Sequence, residues 1–300
     1  MHVLIVGCGY VGLPLGRELV RLGHRVYGLA RTAGAELSAA GIVPVRADVT
    51  RIKTLASLPH DFDWMVNCAA SGGGTSADYR QLYLEGNRNL LATFAPASSS
   101  SSPSSSLKKF VYTSSTSVYS QNDGSVVTEE SPAEPYSATA QVLVETERML
   151  LTAAQSGFPA AVLRVAGIYG PGRGYAFKQF LQGDARVEGD GSRYMNMIHR
   201  DDVIGAIIAA LERGTPGEVY NAADNEPVTQ LGFYGWLATG LKRPMPPRVA
   251  AEAETWRKRG VTNKQVSNAK LRASLGYEFK YPDFRAGYAP EIARLAAAAS

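Results

Sequence analysis

A glycine-rich turn close to the amino terminus constrains the fold of this chain more than any other feature. The apolar run Val3 to Val6 leads directly into the GxGxxG pattern Gly7-Cys8-Gly9-Tyr10-Val11-Gly12. After the turn, apolar side chains recur at helical spacing as far as Gly23, at Val11, Leu15, Leu19 and Leu22. A strand, a glycine turn and an amphipathic helix in this order are typical of the unit that binds the diphosphate of a dinucleotide.

Each glycine of the pattern has a physical role in such a unit. The first permits a tight turn, the second lets the main chain approach the bridging phosphates, and the third allows the helix to pack closely on the strand. The exposed N–H groups and the positive end of the helix dipole then hold the anion. Glycine-rich turns also occur for structural reasons alone, but in this context we predict a dinucleotide site formed by Gly7, Gly9, Tyr10, Val11 and Gly12.

The first two thirds of the chain alternate short β-branched runs with longer helical patterns. This alternation indicates an α/β fold, and right-handed crossovers favour a doubly wound parallel sheet, the Rossmann arrangement. The predicted strands are Val3 to Val6, Arg25 to Leu29, Val43 to Arg46, Trp64 to Asn67, Lys109 to Thr113 and Ala161 to Val165.

After Val165 this rhythm loosens, because glycines and prolines interrupt it. We therefore predict a dinucleotide-binding domain of residues 1–168 plus about 196–224, and a smaller substrate-binding domain of about 169–195 plus 225–300. A helix over Asp202 to Leu211 and a strand over Glu218 to Asn221 are expected to rejoin the main sheet. The serine-rich segment 97–107 is predicted to be a surface loop.

Composition argues against several classes of function. The formal net charge of +4 comes from Lys and Arg residues scattered along the chain, so nucleic-acid binding is not expected. Cys8 and Cys68 lack the spacing of metal ligands and the histidines form no cluster, so no metal is expected either. No stretch approaches the ~18 apolar residues needed to cross a bilayer. The cysteines are expected to be reduced, which is typical of a cytoplasmic protein. With nucleic acid and membrane not expected as partners, a small-molecule substrate is the remaining expectation.

The end of the second strand bears on the choice of cofactor. An acidic residue at this point would hydrogen-bond the ribose hydroxyls of NAD, but the sequence reads Leu29-Ala30-Arg31-Thr32. The planar guanidinium of Arg31 suits a 2′-phosphate instead. NADP(H) is therefore favoured over NAD(H), with Arg31 and Thr32 beside the ribose. The alternative is that Arg31 is a solvated surface residue.

Further motifs resemble, in the same order, those of the extended short-chain dehydrogenase/reductase family and its NAD(P)-dependent epimerase/dehydratase group. They are Ala47-Asp48-Val49, Asn67-Cys68-Ala69-Ala70, Val111 to Tyr119, Glu134-Pro135-Tyr136, Arg164 to Gly172, Asn196 to Val203 and Val219 to Ala222. The resemblance covers nearly the whole chain. It implies cofactor contacts from Asp48, Val49, Cys68, Ala69, Ala70, Tyr136, Val165 and Ala166.

The resemblance also implies the catalytic residues. Ser115 would hydrogen-bond a substrate carbonyl or hydroxyl, and Tyr136 would transfer a proton as hydride moves to or from the nicotinamide. In the alternative interpretation, Ser115 is one of several hydroxyls at a strand end and Tyr136 packs at the start of a helix. Members of the family often pair through helices of the main domain, so a homodimer is consistent with the resemblance.

The sequence departs from the family pattern at one position. The family has a lysine four residues after its tyrosine, on the same helical face, whereas this chain has Ala140. The missing ammonium would have lowered the pKa of the tyrosine hydroxyl. Without it Tyr136 is a poor base but can still donate a proton, which favours reduction of a carbonyl, unless a cation from elsewhere in the chain fills the space.

Two hypotheses about function follow. The first is an epimerase/dehydratase-like oxidoreductase that uses NADP(H) and moves hydride to or from a carbonyl or hydroxyl of an unidentified small molecule or nucleotide-sugar. The alternative is a non-catalytic NADP(H)-binding regulatory or scaffold protein. Arg173, Lys178 and Arg193 could pair with a phosphate or diphosphate of the substrate, although such residues also occur on solvated surfaces.

Overall fold

The computed structural model describes residues 1–32, 34–95, 106–250 and 262–298. Its centre is a seven-stranded sheet. The strands are β1 (His2–Val6), β2 (Arg25–Ala30), β3 (Val43–Arg46), β4 (Trp64–Asn67), β5 (Lys109–Ser115), β6 (Ala160–Val165) and β7 (Val219–Ala222). The predicted strands are all present, whereas most of the serine-rich segment 97–107 lies outside the described residues.

The strands lie in the order β3-β2-β1-β4-β5-β6-β7, and every pairing is parallel. Val3 of β1, for example, lies opposite Val26 of β2 on one side and Trp64 of β4 on the other. The chain therefore moves outward in one direction from β1 to β3 and in the other direction from β4 to β7. This confirms the predicted doubly wound sheet, and it brings the carboxyl ends of all its strands to one edge.

Helices flank the sheet and continue beyond it. Within the described residues they are α1 (Gly12–Arg21), α2 (Ala35–Ala39), α3 (Ser76–Tyr79), α4 (Gly86–Phe94), α5 (Ala138–Gln155), α6 (Tyr175–Gln182), α7 (Arg200–Arg213), α8 (Gln230–Leu241), α9 (Ala269–Leu275) and α10 (Phe284–Ala298). A π-helical segment, Arg80–Glu85, joins α3 to α4. None of the helices in the described ranges is both long and apolar enough to span a membrane.

The set of buried apolar side chains on the first helix, α1, differs slightly from the predicted set. Leu15 and Leu19 are fully buried against the sheet, but Leu22 exposes 44% of its surface because α1 has already ended at Arg21. Gly23, with φ of +83°, turns the chain back toward β2. The backbone at this position favours glycine, which explains the sharp end of the helix.

Apolar side chains of the described residues pack on both faces of the main sheet and in a third core beside it. The third core is rich in aromatic rings, among them Tyr169, Phe177, Phe180, Phe233, Tyr234, Phe284 and Tyr288. Leu271 and Leu275 of α9, however, pack in a core of the main sheet. Helix α9, although it lies within the range predicted for the smaller domain, thus packs against the main sheet.

In the described parts of the chain, four short strand pairs lie outside the main sheet, two of them within the smaller region. The pairs are Gly167–Tyr169 with Met197–His199, Tyr194–Met195 with Val228–Thr229, Val126–Val127 with Gln265–Val266, and Val187–Glu188 with Arg248–Val249. The Gly167–Tyr169 strand follows β6 with one residue between them, and the Val126–Val127 strand lies in the segment that follows β5. The smaller region is thus attached at the edge of the main sheet where the strands end.

A buried ion pair fixes the ends of three neighbouring strands. Arg164 of β6 donates from Nη2 to Glu147 Oε2 of α5 at 2.7 Å and from Nη1 to the Tyr119 hydroxyl at 2.8 Å. That hydroxyl donates in turn to Asn221 Oδ1 of β7 at 2.8 Å, and Ser114 of β5 donates to Glu147. Both charged side chains are at least nine-tenths buried, so each depends on the other for neutralisation.

We predict that Glu147→Gln lowers the free energy of unfolding by about 3 kcal/mol, because Arg164 then stays buried without a counter-charge. The matched control is Glu145→Gln on the same helix, where Glu145 pairs with Arg80 at 2.6 Å but both side chains are about half exposed. That exposed pair contributes less than about 1 kcal/mol. Urea unfolding of both variants tests the difference, and equal losses would contradict this role of the buried pair.

A buried carboxyl group, that of Asp224, lies where the smaller region joins β7. The main-chain N–H of Asp224 donates to Met197 O at 2.8 Å, and its Oδ1 accepts a hydrogen bond from the Glu226 N–H at 3.2 Å. Its Oδ2 has no hydrogen-bond partner among the described residues. Burial, reinforced by the nearby carboxylates of Asp283, Glu226 and Asp202, raises the pKa of Asp224 to about 8.

This carboxyl makes stability depend on pH. Between pH ~4 and pH ~8 the folded chain holds a proton on Asp224 that the unfolded chain has released, so stability falls as pH rises through this window. The contribution amounts to at most about 1.4 kcal/mol per pH unit. Asp224→Asn removes it, so the stability of the variant relative to wild type should increase from pH 5 to pH 8.

Thermal or urea unfolding at several pH values tests this prediction. Asp184→Asn is the control, because Asp184 is exposed. If the stability difference between Asp224→Asn and wild type is the same at pH 5 and pH 8, Asp224 does not hold the proton.

Candidate active site

The glycine turn is shaped by close packing on two sides and by open space on a third. A Cβ added to Gly7, whose φ is +92°, would lie 2.4 Å from Ala69 Cα, and one added to Gly12 would lie 2.1 Å from Gly7 O. A Cβ on Gly9 would meet no atom within 4 Å. The first and third glycines are therefore needed for packing, whereas the second lies beneath space that a ligand can enter.

The amino-terminal end of α1 faces the same space. Its N-cap residue, Val11, makes no side-chain capping bond, and no acidic residue lies in the first turn. The Leu13 N–H already donates to Gly9 O at 3.0 Å and Pro14 has no N–H, so an anion would meet the amides that precede Leu13, where the helix dipole adds partial positive charge. Together with the space above Gly9, this end of the helix fits the diphosphate of a dinucleotide.

The other predicted cofactor residues lie along the same sheet edge. Cys68 follows β4 and donates from Sγ to Gly7 O at 3.2 Å, and the Ala69 N–H donates to Asn67 Oδ1 at 3.2 Å, while Ala70 is exposed. Val165 and Ala166, at the end of β6, are buried. The segment after β4 is thus held directly against the glycine turn.

The residues that follow β2 and β3 lie on the same edge of the sheet, on the other side of the glycine turn from β4. Arg31 and Thr32 are exposed directly after β2, and Val49 is buried after β3. Asp48 Oδ1 accepts hydrogen bonds from the Thr50 N–H at 3.0 Å and the Thr50 hydroxyl at 2.8 Å. Its carboxylate is therefore already engaged within its own turn.

The hydroxyls at the end of β5 are not equivalent. Thr113 donates to Asn67 O at 3.2 Å, and Ser114 donates to the buried Glu147. Ser115, the last residue of the strand, instead accepts a hydrogen bond from the Ser117 N–H at 3.2 Å. Among these three hydroxyls, Ser115 alone keeps its own proton for a ligand, as far as the described residues show.

Tyr136 lies in the turn before α5 with 86% of its surface exposed. Its hydroxyl makes no hydrogen bond to another described residue, so the structure does not bring Ser115 and Tyr136 into direct contact. Ser137 caps α5 by accepting a hydrogen bond from the Ala140 N–H at 3.4 Å, and Ala140 itself is buried. The family's lysine position is thus occupied by a small buried side chain.

Residues 115–119, which begin at the last residue of β5, form a turn that we call the serine turn. A buried lysine that was not predicted from the sequence lies at the end of this turn opposite Ser115. Lys264 donates from Nζ to Tyr119 O at 2.9 Å and to Thr262 Oγ1 at 2.8 Å, and burial lowers its pKa to about 8. Its own segment is fixed by Asn196, which accepts a hydrogen bond from the Val266 N–H at 2.7 Å and donates to Lys264 O at 2.9 Å. Nothing in the local sequence marks Lys264 as buried.

Of the three candidate phosphate-binding cations, one lies near the glycine turn. Arg173 stacks over the ring of Tyr10 at 5.0 Å. Arg193 lies 3.8 Å from Glu188 within the smaller region, and Lys178 is exposed on α6. No group of three or more His, Cys, Asp or Glu side chains in the described part of the chain could hold a metal ion.

Two known proteins are similar to this chain over most of its length. The chain is 28% identical over 293 residues to "Protein YeeZ" of Escherichia coli. The matched residues cover 94% of this chain and 96% of that protein. It is 26% identical over 311 residues to a 3-diazoavenalumate denitrifying reductase of a Streptomyces species, covering 97% of this chain and all of that protein.

A solved structure has the same fold, and a family model identifies the family. The dTDP-glucose 4,6-dehydratase DesIV of Streptomyces venezuelae, solved with NAD bound, superposes with a TM-score of 0.80 over 98% of this chain and 96% of that chain, at 21% identity. The model of the NAD dependent epimerase/dehydratase family matches residues 3–223. Because this match spans well over half of the chain, the protein belongs to the NAD-dependent epimerase/dehydratase family.

Proposed function

We propose that this protein is an NADP(H)-dependent reductase that acts on the carbonyl group of a small molecule. The observation that carries the proposal is the alignment of four neighbouring strands, β1, β4, β5 and β6. Their carboxyl ends carry the glycine turn, the Cys68 segment, Ser115 and the Val165 segment in that order. In open α/β sheets, ligands bind in the crevice at such an edge.

The hydroxyl of Ser115 has the chemistry to orient a carbonyl. Its oxygen is held by the Ser117 N–H, and its proton is not used by any described residue. A hydroxyl fixed in this way donates to a carbonyl oxygen and stabilises the negative charge that develops there on reduction. When bound, the nicotinamide would supply or accept the hydride.

Tyr136 is assigned the role of proton donor. Its exposure leaves the hydroxyl accessible to a bound substrate and to solvent. With Ala140 in place of a lysine, no ammonium one turn away favours the phenolate. Without that ammonium, the tyrosine hydroxyl is better suited to deliver a proton to a carbonyl oxygen than to remove one from an alcohol. The reductase name of the Streptomyces relative points in the same direction.

The proposed preference for NADP(H) rests on Arg31, the residue that directly follows β2. Arg31 is exposed there and has no carboxylate within salt-bridge distance among the described residues. Asp48, the acid that follows the neighbouring strand β3, is engaged with Thr50 and does not replace the missing ribose-binding acid. A free guanidinium at this position favours an additional phosphate on the ribose.

We predict that Arg31→Ala weakens NADPH binding about 10-fold to 100-fold, since charge-assisted hydrogen bonds to a phosphate are lost. NADH binding should change by less than about threefold. Arg17→Ala is the control, because Arg17 is an exposed arginine on α1. Fluorescence titration of both cofactors measures the effect. A wild-type protein that binds NADH as tightly as NADPH would contradict the assignment of Arg31.

For catalysis, we predict that Tyr136→Phe lowers NADPH oxidation with a reducible carbonyl by about 100-fold or more, because the proton donor is lost. Ser115→Ala should lower it as well, chiefly through the substrate's orientation. Tyr175→Phe serves as the matched control, since Tyr175 is also a largely exposed tyrosine, at 82%. A panel of ketones, 3-oxo acids and nucleotide-sugars, followed by absorbance, supplies the assay. If Tyr136→Phe keeps wild-type activity on a working substrate, Tyr136 is not the donor.

A second function is favoured by one feature, the combination of Ala140 with a solvent-exposed Tyr136. A protein that only senses the cofactor needs the glycine turn and Arg31 but neither hydroxyl. The same carbonyl panel separates the two functions. Tight NADPH binding without turnover of any carbonyl would favour the regulatory function over the reductase.

A further inference from the structure

The turn that follows the Gly167–Tyr169 strand lies directly on the glycine turn. Within it, the Gly170 N–H donates to Arg173 O at 3.0 Å and the Arg173 N–H donates to Gly170 O at 2.9 Å. Gly170, Gly172 and Gly174 have φ of +138°, +69° and +149°. Side-chain-bearing residues rarely adopt such a backbone, so the shape of this turn requires its glycines.

One tyrosine joins the two turns. Tyr10, between the second and third glycines of the phosphate-binding motif, donates from its hydroxyl to Pro171 O at 3.2 Å. A Cβ on Gly170 would lie 3.1 Å from the same hydroxyl, so the approach is close. Tyr10 is therefore both a neighbour of the diphosphate-binding amides and an anchor for the smaller region.

Two guanidinium groups lie against the Tyr10 ring. The Cζ atoms of Arg173 and Arg200 are 5.0 Å and 5.3 Å from its centroid. Arg200 is neutralised by Asp201, at 3.0 Å, but Arg173 has no carboxylate within 4.0 Å among the described residues. A cation–π contact to an exposed ring is worth only about 0.5–1 kcal/mol, which does not explain why an unpaired arginine is placed here.

The charge around this point calls for an anion. The uncapped end of α1 is positive, its first turn has no acidic residue, and Arg173 adds a full charge at the ring of Tyr10, which lies two residues before this helix. Arg173 is exposed, so its guanidinium is accessible to an anion that binds at this end of the helix. The planar fork of an arginine matches two phosphate oxygens at once.

We propose that Arg173 binds the diphosphate of the nicotinamide dinucleotide, so that the smaller region supplies a cofactor-binding residue. The turn over residues 170–174 then covers one side of the phosphate site, with Arg200 in a lesser role because Asp201 neutralises it. The proposal requires the family's cofactor. It does not depend on the NADP(H) preference of Arg31 or on the catalytic roles of Ser115 and Tyr136.

Binding of four probes to the purified full chain tests this. NAD⁺, NADP⁺ and ADP-ribose all contain the adenosine diphosphate unit, whereas UDP represents the diphosphate of a nucleotide-sugar substrate. Calorimetry should show that Arg173→Gln weakens the first three by a common factor of about 10 to 100. Arg173→Lys, which keeps the charge but loses the fork, should fall between wild type and Arg173→Gln.

Controls separate a phosphate contact from a structural effect of the turn. Arg148→Gln, at an exposed arginine on α5, should leave all four affinities unchanged. Affinities at about 50 and 300 mM NaCl give a second readout, since loss of an ionic contact makes binding less sensitive to salt. A merely structural role would lower affinity without changing the salt dependence.

Other outcomes would overturn the proposal. One is unchanged affinity of Arg173→Gln for ADP-ribose, and another is loss of UDP binding alone, which would assign Arg173 to a substrate's diphosphate. Failure of the proposed function is distinct from either. A protein that reduces no carbonyl, or that prefers NAD(H), still supports the assignment if Arg173→Gln weakens NAD⁺, NADP⁺ and ADP-ribose alike.

Discussion

Arg164 brings a full positive charge into the interior, and the end of the main sheet is organised around it. Its guanidinium is held by Glu147 from α5 and donates to the hydroxyl of Tyr119 just beyond the serine turn. Asn221 of β7 completes the network by accepting from that hydroxyl. A buried charge tolerates little displacement of its partners, because each lost contact leaves desolvation uncompensated. The strand ends that carry Ser115 and the Val165 segment are therefore held in fixed relation to α5.

The same network determines which hydroxyl is available for chemistry. Glu147 accepts from Ser114 and so removes that side chain from the surface. Successive residues of a strand point to opposite faces, so Ser115 faces away from Glu147. From the other end of the turn, Lys264 fixes Tyr119 O. The serine turn is thus constrained at both ends by buried charged groups, and neither of them is the lysine that the family has after its tyrosine.

Local sequence patterns predicted most of the fold, including the position of the glycine turn. Strands such as β1 and β4 and the glycine turn were predictable because their signals lie within a few neighbouring residues. Lys264 was not, since its contact with Tyr119 spans 145 residues and a lysine in a polar run resembles a solvated one. The return of α9 to the main sheet was missed for the same reason, because apolar spacing shows that a helix buries one face but not against what.

Tyr10 shows how a residue predicted for one role serves a second that only the fold reveals. The motif placed it among the diphosphate-binding residues, but its hydroxyl bonds Pro171, which is 161 residues away. The glycine turn consequently contacts both the main sheet and the smaller region. An anion bound at this contact reduces the repulsion between the positive end of α1 and the arginines beside Tyr10. If Arg173 binds the cofactor's diphosphate as proposed, occupation of that site and the position of the turn over residues 170–174 are energetically linked.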